Sequence, residues 1–567
     1  MIICNLEEGI GVRWRNTDGE IQSKVVSHSE FRPYFYVDRG TVDRSLSIPC
    51  KDNHGSFRLE LSSERTEENN LYGEPLDKVT WTPNHPRYAK DIRVALDKMG
   101  IDTYEADVAH YYRYAVDELD AIPEQRPRKW YWDMEWMQGG DYDEQITCIV
   151  VYDNFDEKYY TFVWYPYVVD FKGDRFDDNE SSLVDSVLIE CRSERHMLSR
   201  FMAMFVDKEP DMLVSWFGWK FDLPKLLIRM VHHELDPRVM SPFGEITGIG
   251  WKNNSPTIWK SRVERFSPIN QPIKGVITVA LDLVFERQWN DAQKGTLPSL
   301  ALDYVSETIL GEKKLVSEKF PDKNDFFKKA WTEDADTYLE YAEKDVELLV
   351  KIDENNHCID AVLALQKLLI APFDACFYAS NMGGIYFMRN ASWKAPTGRK
   401  GERKDYDGAM IYNPLTEGTN GIHNNVAAFD FAGLYPSMIV SRNISWETIS
   451  LEPTEFAVNL ATPRDFSDVK QKNMMYFKTD KLGLLPKAVL ELKELRNEYK
   501  KNMKMAKGKS EFNKWNNNQL AVKRLMASFY GIIAYQGFGW ANVDLAASIT
   551  ASAREAIREA AFKVREL

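Results

Sequence analysis

Residues 130–136 read Trp-Tyr-Trp-Asp-Met-Glu-Trp, an aromatic run typical of a β-strand in which two acids are embedded. Asp133 and Glu135 stand two positions apart, so on a strand both carboxylates point to the same face of the sheet. Two adjacent acids on one face repel each other unless a cation neutralises them. The stretch therefore predicts a strand that carries part of a metal site. A pair of acids on an ordinary exposed face is the alternative.

The segments that follow indicate an α/β domain. Two more aromatic and β-branched runs come next, separated by turn-like or acidic stretches, which predicts an antiparallel meander of three strands. Helices and a strand then follow, and this order favours a mixed sheet. The predicted elements are strands at Trp130–Trp136, Ile146–Tyr152, Tyr159–Tyr165 and Leu213–Trp216, a helix from about Ser193, a helix Lys225–Glu234 opened by Pro224, and a helix Thr337–Asp353.

Further acids in this region could complete a metal site. Asp222 comes just before a predicted helix, and Tyr341 and Asp345 stand four apart, one turn above each other on another helix. Together with Asp133 and Glu135 they could hold two Mg²⁺ ions, which activate water, stabilise a leaving oxygen and align a phosphate. Ligation by carboxylates suits Mg²⁺ or Mn²⁺. For Tyr341 and Asp345 an exposed helix face is the alternative.

Both ends of the chain contain other elements. Near the N-terminus, Phe31–Val37 and Val108–Val116 look like strands among polar turns. In the second half a strand is predicted at Val426–Phe431, and three helices follow it. The helices span Pro486 to about Lys507, about Asn516 to Tyr530, and Ala546–Leu567, the last being rich in alanine.

Length and charge limit the classes of protein to consider. The 567 residues suffice for roughly three or four domains. A net charge of −14 argues weakly against nucleic-acid binding, since phosphate contacts need Lys and Arg. Between Lys481 and Gly531, however, 12 Lys and Arg stand against 4 Glu and no Asp, a net charge of +8. This basic segment predicts a local site for a polyanion, with a solvated helical face as the alternative.

Cysteine use and hydropathy give further expectations. The six cysteines are scattered without a C-x-x-C pair, so neither a zinc site nor a disulfide framework is predicted. No run of about 18 apolar residues is present. The first residues lack a basic segment that leads into an apolar stretch. The sequence therefore predicts a protein of the reducing cytoplasm with no membrane partner.

A second set of residues predicts a phosphate-handling site in the C-terminal half. Asp430 ends an apolar strand just before a Pro-containing turn, a position from which an acid can hold a metal. An Asp in an ordinary turn is the alternative. Arg496 and Lys500 stand four apart and share one face of the long basic helix, so they could grip a triphosphate.

The N-terminal motifs occur in an order that resembles that of a known protein family. A strand with Asp-x-Glu, then Phe-Asp, then Tyr-x-x-x-Asp resembles the proofreading 3′–5′ exonuclease domain of family B DNA polymerases. The resemblance implies that Tyr341 helps to position the attacking water. Phe217 departs from the family pattern, which usually has Asn five residues before the second-motif acid. The metal ligands that the resemblance implies are Asp133, Glu135, Asp222 and Asp345.

The C-terminal half resembles the polymerase motifs of the same family. Residues 430–437, Asp-Phe-Ala-Gly-Leu-Tyr-Pro-Ser, are similar to the first motif, D-x-x-S-L-Y-P, with Gly433 in place of the usual Ser. The resemblance implies that Asp430 binds both catalytic metals. It also implies that Tyr435 packs beneath the incoming sugar and excludes a 2′-hydroxyl, the group that separates ribonucleotides from deoxyribonucleotides.

Two more segments extend this resemblance. Residues 523–531 are similar to the second motif, K-x-x-x-N-S-x-Y-G, with Ala527 in place of Asn. Residues 406–409, Tyr-Asp-Gly-Ala, resemble the Y-x-G-G/A motif that contacts the template strand. The roles implied are triphosphate binding by Arg496, Lys500 and Lys523, contact with the nascent base pair by Tyr530, and contact with DNA by Tyr406, Gly408 and Gly531.

The resemblance covers nearly the whole chain and implies its fold class. We expect an α/β multidomain protein of mixed α+β type, with an RNase H-like exonuclease domain and a partial palm with helical-hairpin fingers. Two Mg²⁺ (or Mn²⁺) ions per active site, primer–template DNA and deoxynucleoside triphosphates are the implied cofactors and partners, and a sliding clamp is a further one. The expected domains are an N-terminal domain at 1–125 with about 354–395 packing back on it, the exonuclease at 126–353, palm at 396–475, fingers at 476–531 and palm again at 532–567.

One part of the family's active site is not found in the sequence. Two-metal nucleotidyl transfer needs more than one palm carboxylate, and the family supplies the second in an Asp-Thr-Asp turn. No such turn occurs after Gly531. The acids there are Asp544, expected to cap a helix, Glu555, Glu559 and Glu566.

Three interpretations follow. The first is a polymerase half, or a shortened form of a longer chain, whose Asp-Thr-Asp turn and thumb come from elsewhere, for a split enzyme from a second polypeptide. The second is a stand-alone exonuclease, and the third is a non-catalytic replication scaffold. Because the other polymerase residues are all present, the first is favoured. A split gene would favour a bacterial or phage-infected cell as the source.

Overall fold

The computed structural model describes residues 1–567 except 43–45, 53–54, 140, 167–185, 268–270, 292–294, 399–403, 411–420, 427–429, 432 and 567. The chain forms two compact units, each made of two separate segments. The first unit comprises Met1–Glu30 and Asp117–Phe377, and the second comprises Phe31–Val116 and Tyr378–Leu567. The finer domain boundaries expected from the sequence stay predictions.

A six-stranded mixed sheet is the centre of the first unit. Its three middle strands pair antiparallel, as the predicted meander requires, and the outer strands join in parallel. Antiparallel neighbours need only short connections, whereas parallel neighbours need longer crossover connections. In spatial order the strands are Ser186–Cys191, Lys158–Trp164, Ile146–Asp153, Lys129–Trp136, Met212–Ser215 and Ile277–Ala280.

The strand Lys129–Trp136 is held in the sheet by its aromatic residues. Trp130 and Trp132 are buried and lie against Phe201 of the helix Glu194–Lys208. The indole N–H of Trp130 also donates to Asp153 Oδ2 on the neighbouring strand at 2.7 Å. Burying large aromatic side chains is strongly favourable, which fixes the register of this strand and the direction of its acids.

The remaining elements of the first unit surround this sheet. The helix predicted from Ser193 is confirmed, since Ser193 caps it. The helix predicted from Pro224 begins earlier, at Asp222, with Pro224 in its first turn. The strands outside the main sheet are Ile2–Asn5, Gly9–Arg15 and Ile21–Ser27, and the pair Ile249–Lys252 and Ser255–Ile258. The helices are Glu194–Lys208, Asp222–His232, Lys260–Val263, Leu281–Asp291, Leu302–Leu310, Lys323–Glu333, Ala335–Asn356 and Cys358–Leu369, with 3₁₀ turns at Pro237–Met240 and Phe373–Phe377.

The second unit combines two antiparallel sheets with long helices. One sheet has the spatial order Ser47–Asp52, Gly55–Asn69, Pro75–Thr82, Phe35–Asp38 and Thr103–Tyr104; the other has Ile449–Ser450, Met474–Phe477 and Phe456–Asn459. The helices are Ala89–Lys98, His110–Glu118 (which continues past the boundary of the unit), Ala379–Asn390, Leu434–Ser441, Leu484–Met505, Phe512–Ala534 and Val543–Glu566, with a 3₁₀ turn at Pro86–Tyr88.

Two strand predictions need correction. The strand expected at Val108–Val116 is wrong, because His110–Glu118 is a helix. Its aromatic residues are buried, for example Tyr112 and Tyr114, so the aromatic run reflects packing and not strand pairing. The strand predicted at Phe31–Val37 is shorter and covers Phe35–Asp38.

The expected helical hairpin and mixed α/β class are confirmed. The helices Leu484–Met505 and Phe512–Ala534 pack against each other and form what we call the basic hairpin. The strand predicted at Val426–Phe431 lies largely outside the described residues. Among the helices that the structure describes, none combines the length and the apolar character that crossing a membrane requires.

Candidate active sites

Three carboxylates of the first unit converge. Oxygen atoms of Asp133, Glu135 and Asp345 all lie within 4.8 Å of one another. They line a pocket of about 460 Å³, which we call the carboxylate pocket, and Asp222 and Tyr341 line it as well. The structure thus brings together all five residues that the sequence assigned to this site.

Local geometry explains this convergence. The alternation of a strand directs Asp133 and Glu135 to one face, and one helical turn separates Tyr341 from Asp345. Asp222 is the first residue of its helix and follows a tight turn. A Cβ atom on Gly218 would lie 2.0 Å from Ser215 Oγ and 2.9 Å from Asp222 Oδ2, so only glycine fits beside this acid.

Electrostatic repulsion within the carboxylate pocket is strong. Burial, and after it the charge of Asp345, raises the pKa of Asp133 to about 7. Burial and the charge of Asp133 raise the pKa of Glu135 and of Asp222 well above their usual values. In each case the nearby acids disfavour the ionised form. The site therefore favours a group of positive charge.

Lys314 provides part of that charge, and no sequence motif pointed to this residue. Its Nζ lies 2.6 Å from Asp345 Oδ2 and 3.4 Å from Tyr341 Oη. Burial acts to lower the pKa of Lys314, but the charges of Asp345, Tyr341 and Asp133 outweigh it and raise the pKa. Lys314 stands in an irregular segment, where no periodic spacing relates it to the acids.

The carboxylate pocket fits a divalent cation. Asp345 is 1% exposed, and its Oδ1 has no hydrogen-bond partner among the described residues. A buried carboxylate oxygen without a partner is costly, and a cation would satisfy it. Oxygen donors alone are the ligands that Mg²⁺ and Mn²⁺ prefer. The residues that would hold such ions are Asp133, Glu135, Asp222 and Asp345.

In the second unit, three tyrosines from separate segments meet. The hydroxyls of Tyr406 and Tyr530 are 2.9 Å apart and hydrogen-bonded, and the rings of Tyr435 and Tyr530 lie 4.8 Å apart. Tyr435 is in the first turn of the helix Leu434–Ser441, which Gly433 precedes at φ +71°. This left-handed conformation favours glycine, so Gly433 is well suited to the position before this helix.

Asp430 stands four residues before that helix. It is exposed, whereas its neighbours 427–429 and 432 lie outside the described residues. Within the described part of the chain, no group of three acids with metal-ligand spacing includes Asp430. Its predicted role as a ligand of both metals stays a prediction.

The predicted triphosphate ligands lie near one another in the basic hairpin. Burial, followed by the charges of Arg496, Lys504 and Lys523, lowers the pKa of Lys500, which reports the proximity of these cations. Arg496 is oriented by Gln519, whose Oε1 accepts from Arg496 Nε at 3.3 Å. Mutually repelling cations on facing helices form a site that an anion would stabilise.

Arg554 is a second residue that the sequence did not single out. It is 1% exposed, and its guanidinium donates to the carbonyls of Asp407, Gly408, Leu460 and Thr462 at 2.6–3.2 Å. A buried guanidinium with this many acceptors fixes backbone position. Arg554 thus holds the segment that carries the Tyr-Asp-Gly-Ala motif.

A pocket of about 520 Å³ adjoins that motif. Tyr406 and Gly408 line it together with Lys404 and the exposed ring of Tyr535. Gln536 also lines it, and its amide makes two hydrogen bonds with the backbone of Lys404, at 2.8 and 2.7 Å. The arrangement offers an aromatic face and a cation beside the predicted template contacts.

Gly531 lies next to Tyr530 on the helix Phe512–Ala534, and a Cβ there would be uncrowded.

Two of the acids near the C-terminus have other roles. Glu555 pairs with Arg442, whose Nη2 lies 3.1 Å from Glu555 Oε2. Asp544 does not cap the last helix as expected. Asn542 does so, because its Oδ1 accepts from the backbone N–H of Leu545 at 3.0 Å, and Asp544 lies in the first turn.

Comparison with known proteins agrees with this geometry. The family model described as DNA polymerase family B matches residues 382–566, and that described as DNA polymerase family B, exonuclease domain, matches residues 132–277. Together they match more than half of the chain. The fold is similar to that of a family B DNA polymerase from the archaeon Pyrobaculum calidifontis, with a TM-score of 0.70 and 18% identity over 100% of this chain and 72% of the other.

Curated relatives are also DNA polymerases. A DNA polymerase of Pyrococcus glycovorans is 25% identical over 96% of this chain and 65% of its own length. A DNA-directed DNA polymerase of Escherichia phage RB69 is 23% identical over 84% of this chain and 53% of its own length. The chain thus spans about two thirds of the archaeal relative. Its expected cytoplasmic location and its bacterial or phage source stay predictions.

Motif order, fold and family matches converge on one assignment: the chain belongs to the family B DNA polymerases.

Proposed function

We propose that the first unit is a metal-dependent 3′–5′ exonuclease. The observation that carries the proposal is the meeting of Asp133, Glu135 and Asp345 within 4.8 Å in a pocket that Asp222 also lines. A divalent cation bound to these residues would supply activated water and neutralise the charge of the scissile phosphate. Mg²⁺ or Mn²⁺, two ions per site, is the proposed cofactor.

The chain's own residues would orient the reactants. Tyr341 Oη lies 3.4 Å from Lys314 Nζ, so the hydroxyl is held at the carboxylate pocket, where it can hydrogen-bond to an attacking water. Lys314 places a positive charge beside Asp345, which offsets repulsion among the carboxylates and attracts a phosphodiester. Positioning of this kind accounts for much of the rate acceleration in phosphoryl transfer.

The test is degradation of a single-stranded DNA labelled at its 5′ end. With Mg²⁺ or Mn²⁺ the purified chain should shorten the strand stepwise from the 3′ end, and a chelator should stop the reaction. A strand that stays intact in both metals would contradict the proposal. Label at the 5′ end separates stepwise shortening from internal cleavage, because internal cuts give scattered fragments.

We also propose that the second unit takes part in template-directed nucleotidyl transfer. The substrates would be primer–template DNA and deoxynucleoside triphosphates. What supports this is the meeting of Tyr406, Tyr435 and Tyr530 together with the cation cluster around Lys500. Tyr435 would exclude a 2′-hydroxyl, and Tyr530 would contact the nascent base pair. Tyr406 and the glycines Gly408 and Gly531 would contact DNA.

Asp430 is the proposed palm ligand of the two metals. Nucleotidyl transfer needs a second carboxylate that the chain's matched motifs do not include. We propose that a segment with an Asp-Thr-Asp turn and a thumb completes the site, carried by a second polypeptide or by a longer form of the chain. A sliding clamp is a further proposed partner. The stand-alone exonuclease and the non-catalytic scaffold are the competing proposals.

Primer extension separates these proposals. The chain would carry Asp133→Ala and Asp222→Ala, so that degradation does not mask synthesis. Extension only when the Asp-Thr-Asp segment is added supports a completed site. Robust extension by the chain alone would contradict the need for a second polypeptide. Failure in both cases would favour the exonuclease or scaffold.

A further inference from the structure

The turn before Asp222 holds an aromatic residue in a conformation that aromatic residues rarely adopt. Phe217 has φ +57°, and its half-buried side chain lines the carboxylate pocket. A bulky residue at this φ is strained, whereas glycine and asparagine adopt it readily. Strain of this kind persists only where the surrounding structure enforces it, and it is frequent at functional sites.

Specific contacts enforce the conformation of Phe217. Its backbone N–H donates to Asp282 Oδ1 at 3.1 Å, and its carbonyl accepts from the N–H of Lys220 at 2.9 Å. Asp282 is 0% exposed, and its Oδ2 has no hydrogen-bond partner among the described residues. Gly218 has no room for a Cβ. Phe217 therefore cannot move to a less strained φ without losing its hydrogen bonds with Asp282 and Lys220.

The ring of Phe217 belongs to an aromatic wall. Trp136, Trp216, Phe221 and Phe327 line the same carboxylate pocket. Trp216 is fixed by its indole N–H, which donates to the carbonyl of Leu300 at 2.8 Å, whereas Phe221 is 51% exposed. Partly exposed aromatic rings beside the proposed phosphodiester-cleaving site suit the flat faces of unpaired bases, since base–aromatic stacking tolerates any base.

We propose that Phe217 is a substrate-binding residue that stacks on the base of an unpaired 3′-terminal nucleotide, and that Asp282 is the positioning residue that holds it in place. The inference rests on the proposed exonuclease function. A base within a duplex has its faces covered by its neighbours, so a ring that needs a free face favours frayed or unpaired ends.

Single-turnover cleavage of a short oligothymidylate in Mg²⁺ tests the proposal with the full chain. Phe217→Leu should raise the half-saturating enzyme concentration roughly 5- to 100-fold and leave the maximal rate unchanged, because stacking is lost but the metal ligands stay. Phe217→Tyr keeps the ring and should match the wild type. Asp282→Ala should raise half-saturation in the wild-type background but not in Phe217→Leu, since it acts through the ring.

The results distinguish a failure of the stacking role from a failure of the exonuclease function. Unchanged half-saturation in Phe217→Leu, or equal loss in Phe217→Tyr and Phe217→Leu, would overturn the stacking role while leaving the exonuclease intact. A wild-type chain that does not cleave would overturn the exonuclease itself, and this inference with it. Thermal melting adds a second readout: Phe217→Asn should melt at a higher temperature, because Asn tolerates the left-handed φ.

Discussion

Lys314 Nζ lies 2.6 Å from Asp345 Oδ2, at a site where three carboxylates meet within 4.8 Å. The lysine is thus a cation that the chain itself supplies to the carboxylate pocket. It offsets part of the repulsion among the acids but leaves Asp345 Oδ1 without a hydrogen-bond partner among the described residues. Lys314 and bound divalent ions would together neutralise the carboxylates.

Removing this cation should make stability depend on metal. Lys314→Met keeps the length of the side chain and loses its charge, so the carboxylates repel without compensation. We expect the free energy of unfolding to fall by about 1.5–3 kcal/mol in a chelator, the range for a hydrogen bond to a charged group. Saturating Mg²⁺ should restore most of it, because ligands of the folded state stabilise it. Urea unfolding measures the free energy of unfolding in the chelator and in Mg²⁺. An equal loss with and without Mg²⁺ would contradict the role of Lys314 in offsetting the repulsion.

The raised pKa of Asp133 predicts a pH-dependent stability of the metal-free chain. A carboxyl whose pKa is about 7 when folded and about 4 when unfolded stabilises the fold while it is protonated. Its contribution is therefore present below about pH 4 and is lost as pH rises through 7. We expect the melting temperature in a chelator to fall over this range.

Asp133→Asn tests the assignment of this pH dependence, since it removes the titrating group. The fall in melting temperature should be shallower in this variant. Asp141→Asn, at an exposed position, is the matched control and should follow the wild type. A profile for Asp133→Asn as steep as that of the wild type would assign the effect to other groups.

The sequence predicted the carboxylate pocket well because regular elements carry its residues. Spacing on a strand places Asp133 and Glu135 on one face, and spacing on a helix relates Tyr341 to Asp345. Lys314 was missed because it reaches the pocket from an irregular segment, whose path depends on tertiary packing.

Sequence patterns also failed where burial decided the structure. Val108–Val116 reads as a strand, yet most of it lies in the helix His110–Glu118, since burial favours aromatic residues in either element. Arg554 stands on an alanine-rich helix, and no motif in the sequence singles it out. Only the fold reveals that it binds four backbone carbonyls.

Lys523 should contribute to binding of a triphosphate. Lys523→Ala removes one charge from the cation cluster, and a charge-assisted contact is worth about 1.5–3 kcal/mol. Nucleotide affinity on primer–template DNA should therefore weaken roughly 10- to 100-fold. Lys509→Ala, on the exposed turn of the basic hairpin, should have no effect. Equal affinities in both variants would make Lys523 part of a solvated face.

Arg554 should stabilise the second unit through the backbone it binds. Arg554→Met leaves several carbonyls without donors, so we expect a loss of about 3 kcal/mol or more in stability. Exonuclease activity, which depends on residues of the first unit, should persist below the melting temperature. Lys563→Met, exposed on the same helix, is the control. A variant of Arg554 as stable as the control would contradict the role of its contacts.

The most direct test compares the rates at which four single variants shorten a single strand from its 3′ end. Asp133→Ala, Glu135→Ala, Asp222→Ala and Asp345→Ala each remove a proposed metal ligand, and Glu307→Ala, an exposed acid of the same unit, is the control. We expect each ligand variant to lose activity by orders of magnitude while the control keeps the wild-type rate. Near wild-type rates in any two of the four ligand variants would contradict a catalytic carboxylate pocket.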